Sequence, residues 1–317
     1  MEKLEVVAVV SIVILSFFAI IGNTTIIALF FRVRSLQTTS NTFVVSLAFT
    51  DLLIGGILYP VQSLIDLKIV YDHQGCIIFI CLFIIMSLMH VLIVLSLSFE
   101  RFVTICKPMV YSTIITEKKC YITLVLIIVY SLLNGLPPFF SSFAVTSPMQ
   151  ECQVFTVLSK VYLLWLVINS IIPLLLIIII FVKLFFVVRR HARVIRATEA
   201  ASIGIAVNPI AANSRFKLKR EAKSAVLLIS IVVYFIITWS PLIVANLSKV
   251  DMNELFYMII HFTLYSNTVA TPFIYGFGNK LYRFAVIVII VIVFFTVILP
   301  LPYTILLPRD YPTPFFG

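Results

Sequence analysis

Long apolar runs separated by short polar and basic connectors dominate the chain, at about 6–31, 42–65, 77–102, 120–141, 157–188, 223–247 and 254–277, with a further run at about 285–307. A helix rises about 1.5 Å per residue, so about twenty apolar residues cross a bilayer core of about 30 Å. Each of the first seven runs is therefore predicted to be a membrane-spanning helix. The third organises the rest. It opens at Cys76, carries Ser87, His90, Ser96 and Ser98 as its polar breaks, and closes on Glu100-Arg101-Phe102. Its length puts Cys76 and Arg101 at opposite membrane faces.

The connectors set the orientation. Lys and Arg alternate between rich and poor loops: Arg32 and Arg34, then Lys68, then Lys107, Lys118 and Lys119, then Lys160, then a block from Lys183 to Lys223, then Lys249, then Lys280 and Arg283. Basic loops stay cytoplasmic, which predicts an all-α bundle of seven helices with the N-terminus outside. The connector Arg189–Arg220 reads either as a solvated loop near anionic lipid or as a partner-recognition segment, and both put it inside the cell. The apolar run after Glu5 continues almost to Phe31 without a clear cleavage site, so it reads as a first helix rather than a signal peptide.

Composition agrees. Of 317 residues, 62% are hydrophobic and 11% charged, with mean hydropathy +1.17, which a water-soluble fold cannot bury. The net charge of +10 follows the topology rather than a nucleic-acid surface. Of five cysteines, only Cys76 and Cys152 fall on the oxidising side, so a Cys76–Cys152 disulfide is predicted, pinning 141–156 over the mouth of the bundle. No pair of catalytic carboxylates, Ser/His dyad or zinc-ligand set shares one depth, and an enzyme is not expected.

Ionisable groups inside a span cost about 2.5–3.5 kcal/mol and usually face the interior. They are Asp51, His90 and, near an outer end, His261. Asp51 reads either as part of a working polar core or as a carboxylic acid kept protonated by simple hydrogen bonding. Pro60, Pro173, Pro241 and Pro272 each remove a backbone hydrogen bond, and read as hinges or as static bends.

From about Gly22 to Arg283 the order and spacing of these residues resemble the class A, or rhodopsin-like, G-protein-coupled receptors. Gly22-Asn23 resembles the first-helix motif of that family, and Leu47–Asp51 (LAFTD) its second-helix motif. Cys76 stands twenty-five residues before Arg101, and Pro173 holds the fifth-helix position. Phe235, Trp239 and Pro241 resemble the sixth-helix switch, Thr271–Tyr275 (TPFIY, with Pro272) the seventh-helix motif, and GNKLYRF the start of a short eighth helix. On this basis 1–284 is a receptor domain. The tail 285–317 is read as an eighth span or, because the resemblance stops at Phe284, as a gene-model artefact.

The resemblance implies a plasma-membrane receptor in which an extracellular small molecule shifts an equilibrium between bundle packings, and a heterotrimeric G protein enters the cytoplasmic cleft. A seven-helix transporter is the alternative, although paired broken helices and inverted repeats are absent. Glu100, Arg101 and Glu221 would form the inactive-state lock. Asn23, Asp51, Asn267 and Thr271 would form a polar core able to hold sodium, but His90 stands where the family usually has a serine. An imidazole beside Asp51 reads either as half of an Asp–His⁺ pair that displaces the ion, which predicts weak sodium sensitivity and a pH-dependent basal activity, or as a neutral ring that is simply hydrogen-bonded; apart from sodium at Asp51 no cofactor is assigned. Further departures are ERF at 100–102, Thr271 for asparagine, Phe181 for the fifth-helix tyrosine, and a fourth helix without tryptophan.

The ligand positions implied by the resemblance are Phe83, Ser87, Trp165, Asn169, Ile243, Asn246, His261 and Tyr265, together with Met86, Trp239 and Leu242. Phe83 stands where amine receptors carry an aspartate, and Tyr265 where opsins carry lysine. A small neutral ligand is expected. Asn246 resembles the sixth-helix asparagine of adenosine receptors, whose histidine is replaced here by Tyr265.

Overall fold

The computed structural model describes residues 2–66, 69, 73–140, 152, 157–201, 230, 233–240 and 254–278, and the description below is confined to them. Within it the chain is helical: α1 (Glu2–Arg32), α2 (Thr39–Leu53), α3 (Tyr59–Asp66), α4 (His73–Cys106), α5 (Tyr111–Ile114), α6 (Glu117–Gly135), α7 (Pro137–Phe140), α8 (Lys160–Ala201), α9 (233–240) and α10 (Glu254–Gly278). Five helical stretches are long and apolar enough to cross a membrane: Val9–Arg32, Thr39–Ile65, His73–Cys106, Glu117–Phe140 and Lys160–Arg190. They correspond to the first five apolar runs. The sixth run is represented by α9 and the seventh by α10, while the tail 285–317 and GNKLYRF beyond Gly278 lie outside the described residues.

Helix α4 packs against α2, α6 and α8, and α1 packs against both α2 and α10. The apolar contacts fall into layers along the bundle. At the Cys76 end, Leu58, Tyr59, Phe79, Ile80, Cys152, Leu158 and Tyr265 cluster. Leu47, Val91, Val94, Ile177 and Phe235 form the middle, and Ile26, Leu36, Phe43, Val44 and Leu97 the Arg101 end. Large apolar side chains such as Leu133, Phe140 and Val161 point outward, as a lipid-facing surface requires.

Local chemistry sets the helix ends. Thr38 and Thr116 cap α2 and α6 by accepting from Asn41 N and Lys119 N, each at 3.3 Å. The prolines behave unequally: α8 continues through Pro173 and α10 through Pro272, whereas Pro60 follows a π turn at Ile54–Leu58. In that wider turn Tyr59 N donates to Ile54 O, and the next bond would need an N–H that Pro60 lacks. The carbonyl so released, Gly55 O, accepts instead from Ser16 Oγ of α1 at 2.5 Å.

Close helix contact uses glycine. A Cβ on Gly22 would stand 2.6 Å from Pro272 Cγ, and one on Gly55 would stand 2.6 Å from Ala19 Cβ. Pro272 therefore packs directly on the Gly22-Asn23 step. The Cys76–Cys152 disulfide is formed, with Cα atoms 5.8 Å apart, and ties residue 152 to the layer that holds Val157 and Leu158.

Candidate functional site

The polar core is built across four helices. Asp51 of α2 is fully buried and His90 of α4 nearly so. His90 Nδ1 lies 3.0 Å from Asp51 Oδ1 but off the line of a good hydrogen bond, so this is an ion-pair distance rather than an aligned donor. The other ring nitrogen, Nε2, is 3.3 Å from Asn267 Nδ2 of α10. An amide nitrogen only donates, so this arrangement leaves Nε2 bare and puts the ring proton on Nδ1, facing Asp51. The His90 ring stacks on Phe235 at 5.5 Å and 12°, and Phe235 packs on Trp239 at 5.6 Å. One row of side chains thus joins α2, α4 and α9.

Around it, Asn23 Nδ2 donates to Ala19 O at 2.9 Å and to Thr268 O at 3.0 Å, which ties α1 to α10. Thr271 is buried. Hard cations take shells of oxygen ligands. Here an imidazole nitrogen covers Asp51 Oδ1, and Asn267 turns its amide nitrogen inward. Only Asp51 Oδ1 is taken up by the ring in this way; Asp51 Oδ2 and Asn23 Oδ1 are buried oxygens without a hydrogen-bond donor among the described residues.

Above this row is a narrow crevice of ≈ 40 Å³, measured by the space a water's centre can occupy. A cavity needs about 10–15 Å³ of such space per water, so it holds only a few. Phe83, Ser87, His90, Trp239, Tyr265 and Asn267 line it, and the indole Nε1 of Trp239 is buried without a partner among the described residues. Tyr59 OH closes one wall, donating to Tyr265 O at 2.7 Å and meeting Thr268 Oγ1 at 3.0 Å.

Trp165 and Asn169 are placed elsewhere. Trp165 Nε1 donates to Asn134 Oδ1 of α6 at 2.8 Å, and Asn169 Oδ1 accepts from Tyr130 OH. Both stitch α8 to α6, and Trp165 is half exposed on the outer face. Glu221, Pro241, Ile243 and Asn246 lie outside the described residues. His261 and Tyr275 sit on the backbone of α10, and their side chains lie outside the described set.

At the far end of α4, Glu100 is almost fully buried. Its Oε1 accepts from Thr104 Oγ1 at 3.1 Å and Tyr111 OH at 3.0 Å, and its Oε2 accepts from Ser40 Oγ at 3.2 Å. Arg101 Nε is 3.2 Å from Glu100 Oε2, again at ion-pair distance without alignment. Burial first, and then the neighbouring Glu100 carboxylate, push the Tyr111 phenol up to about 12.

These positions follow one family's order. The family model described as "7 transmembrane receptor (rhodopsin family)" matches residues 22–275. The chain belongs to this family. It is a multi-pass membrane protein of a class of signalling receptors, and not an enzyme. Rhodopsin-family relatives include Adenosine receptor A3 of Canis lupus familiaris, 24% identical over 277 residues that cover 84% of each chain. Adenosine receptor A2b of Homo sapiens is 24% identical over 297 residues, again covering 84% of each. The Gq-coupled rhodopsin of Mizuhopecten yessoensis is 28% identical over 252 residues, 76% of this chain and 49% of that one.

Within the rhodopsin-family frame, sequence reasoning missed Tyr59, Thr268, Ser16, Ser40, Thr104 and Tyr111. The available signal was each hydroxyl in or beside an apolar run, since a buried hydroxyl needs a partner.

Proposed function

We propose that the chain is a G-protein-coupled receptor of the plasma membrane, with seven spans and its N-terminus outside, that converts binding of a small neutral extracellular ligand into activation of a heterotrimeric G protein. The observation that carries this reading is the unbroken row from crevice to polar core: Trp239, Phe235, His90 and Asp51, successive members 5.6, 5.5 and 3.0 Å apart. A ligand that displaces Trp239 moves a side chain already packed on the core that joins α2, α4 and α10. Differential affinity for two packings is all that signalling then requires.

The lining supports a neutral ligand, because an unpaired charge in such a crevice is costly and no carboxylate, lysine or arginine stands among the described lining residues. The crevice is small, so entry of a ligand depends on an opening of the bundle. At the other end, Arg101 and Glu100, with Glu221, would hold the inactive state. A buried pair of this kind acts as a switch more than as a net stabiliser.

A narrower reading takes an adenosine-like nucleoside as ligand. It rests on the two adenosine receptors among the relatives and on Asn246. The test of both readings is second-messenger output in cells expressing the chain, full length and ended after Arg283, against adenosine, other nucleosides and a panel of amines. A response that Arg101→Ala abolishes at equal surface expression supports the receptor. A nucleoside-only response supports the narrower reading, and ligand-dependent flux without second messenger overturns both.

A further inference from the structure

A second cavity, larger than the crevice, lies apart from it. A groove of ≈ 570 Å³ opens on the outer surface between α4, α6 and α8, at the Arg101 end of the bundle. Leu95 and Phe99, Ile122, and Leu176 with Ile180 form its walls, and Phe43 of α2 lies at its base. Phe99, Ile122 and Leu176 are each nearly half exposed, so the groove faces the bilayer side.

The hydroxyls along it are engaged within the protein. Ser96 Oγ donates to Leu92 O and Thr123 Oγ1 to Lys119 O, each at 2.9 Å within its own helix, and Thr116 Oγ1 accepts from Lys119 N at 3.3 Å. Most of what remains exposed inside is hydrocarbon. At the mouth the chemistry changes. Lys119 lines the groove, with Nζ 2.6 Å from Thr113 O and 3.4 Å from Ile114 O, so its ammonium is held at the rim with one N–H to spare. Lys118 beside it and Lys107 on the preceding connector are exposed, against the single acid Glu117.

We propose that this groove is a binding site for an anionic phospholipid, with one acyl chain lying along Leu95, Phe99, Ile122 and Leu176 and the headgroup phosphate on Lys119. Charge complementarity names the occupant: the cytoplasmic leaflet carries the anionic lipids, and each lysine near its surface attracts them. That assignment rests on the proposed topology, which puts the Arg101 end inside.

The site also reaches Glu100. Lys119 holds the carbonyls of Thr113 and Ile114, and the same short segment supplies Tyr111, whose hydroxyl donates to Glu100 Oε1. A headgroup that draws the ammonium away from these carbonyls frees the segment that steadies Glu100.

The test uses the full chain in phosphatidylcholine nanodiscs doped with phosphatidylserine that carries a photoactivatable diazirine midway along one acyl chain. Both leaflets are alike in a nanodisc, so the result depends neither on orientation nor on signalling, and it can fail while the receptor reading stands. Adducts are expected on 95–99, 122–123 and 176–180, at about fivefold the yield of the matching phosphatidylcholine probe, the ratio that one lysine contact implies. Lys119→Gln is expected to bring the yield down to that of phosphatidylcholine. Ser96→Phe, which fills the groove, is expected to remove the adducts for both lipids. Adducts as frequent on the outer face of α1 near Val13 and Phe17, equal yields from the two probes, or competition by soluble glycerophosphoserine would overturn the proposal.

Discussion

His90 Nδ1 stands 3.0 Å from Asp51 Oδ1 at the centre of the bundle, so a side chain of the protein already stands at one of the two carboxylate oxygens a diffusible cation would use. The pairing has a direct consequence for salts. Melting temperatures of the purified receptor in equimolar sodium chloride and choline chloride are expected to agree. His90→Ser uncovers Asp51 Oδ1 and is expected to make sodium stabilising, at about 2–4 °C for each kcal/mol of linked binding. Sodium stabilisation of the parent chain, equal to that of the variant, would remove this reading.

Tyr111 steadies Glu100 from outside the spans. Its phenol donates to Oε1 at 3.0 Å, and a hydrogen bond to a charged group contributes about 1.5–3 kcal/mol. Tyr111→Phe is expected to raise basal second-messenger output and to lower the melting temperature by several degrees. The phenol also sets an alkaline limit. Its folded value of about 12 lies above the ordinary value of 10.0, so across that window the unfolded chain loses a proton that the folded chain keeps. Stability from this group is intact below pH 10 and falls as the pH rises towards 12. An ultraviolet phenolate titration of parent minus Tyr111→Phe should show one group ionising near 12; a difference curve centred near 10 would count against its burial beside Glu100.

Gly22 is the contact point of α1 and α10. An alanine methyl there would meet Pro272 Cγ at 2.6 Å and Cβ at 2.9 Å, and overpacking of this kind costs about 1–3 kcal/mol. Gly22→Ala is expected to melt earlier than the parent chain. Adding Pro272→Ala should recover part of the loss, and strict additivity of the two changes in a double-mutant cycle would argue that the helices do not meet there.

Glu221, twenty residues before Pro241, is proposed to hold Arg101 in the resting receptor. Glu221→Gln is expected to raise basal signalling. An unchanged basal level at matched surface expression would leave Glu100 as the partner that matters.

Much of this was legible in the sequence because a bilayer narrows the options. Span length is set by membrane thickness, so the five long helices follow from the apolar runs. Buried charge is rare there, so Asp51 and His90 stood out before their contact was known. Cys76 and Cys152 were separable from the other thiols by compartment, and they are bonded. Partner identity was less legible, because it depends on helix rotation. Counting from Pro173 gives the depth of Trp165 and Asn169 along α8, yet the helix turns them towards Asn134 and Tyr130 rather than into the crevice. Nor does a proline in a span say whether it will break the helix. Pro173 does not, because α8 carries on through it, and Pro60 changes the turn before it instead.

That turn at Ile54–Leu58 alters the phase of everything beyond it. A π turn amounts to one extra residue in an α-helix, and one residue is about 100° of rotation. In an uninterrupted helix Leu58, seven residues after Asp51, would share its face; with the extra residue that place passes to Tyr59. The tyrosine reaches Tyr265 and Thr268 for this reason alone, so the span works like two shafts joined with a fixed angular offset, and Gly55-Gly56 with Pro60 is the coupling. Deleting Gly56 would take that extra residue out and leave Tyr59 the seventh residue after Asp51 in a regular helix, so its hydroxyl is expected to stay on α10, whereas straightening the turn with all its residues kept would swing that hydroxyl away by about 100°.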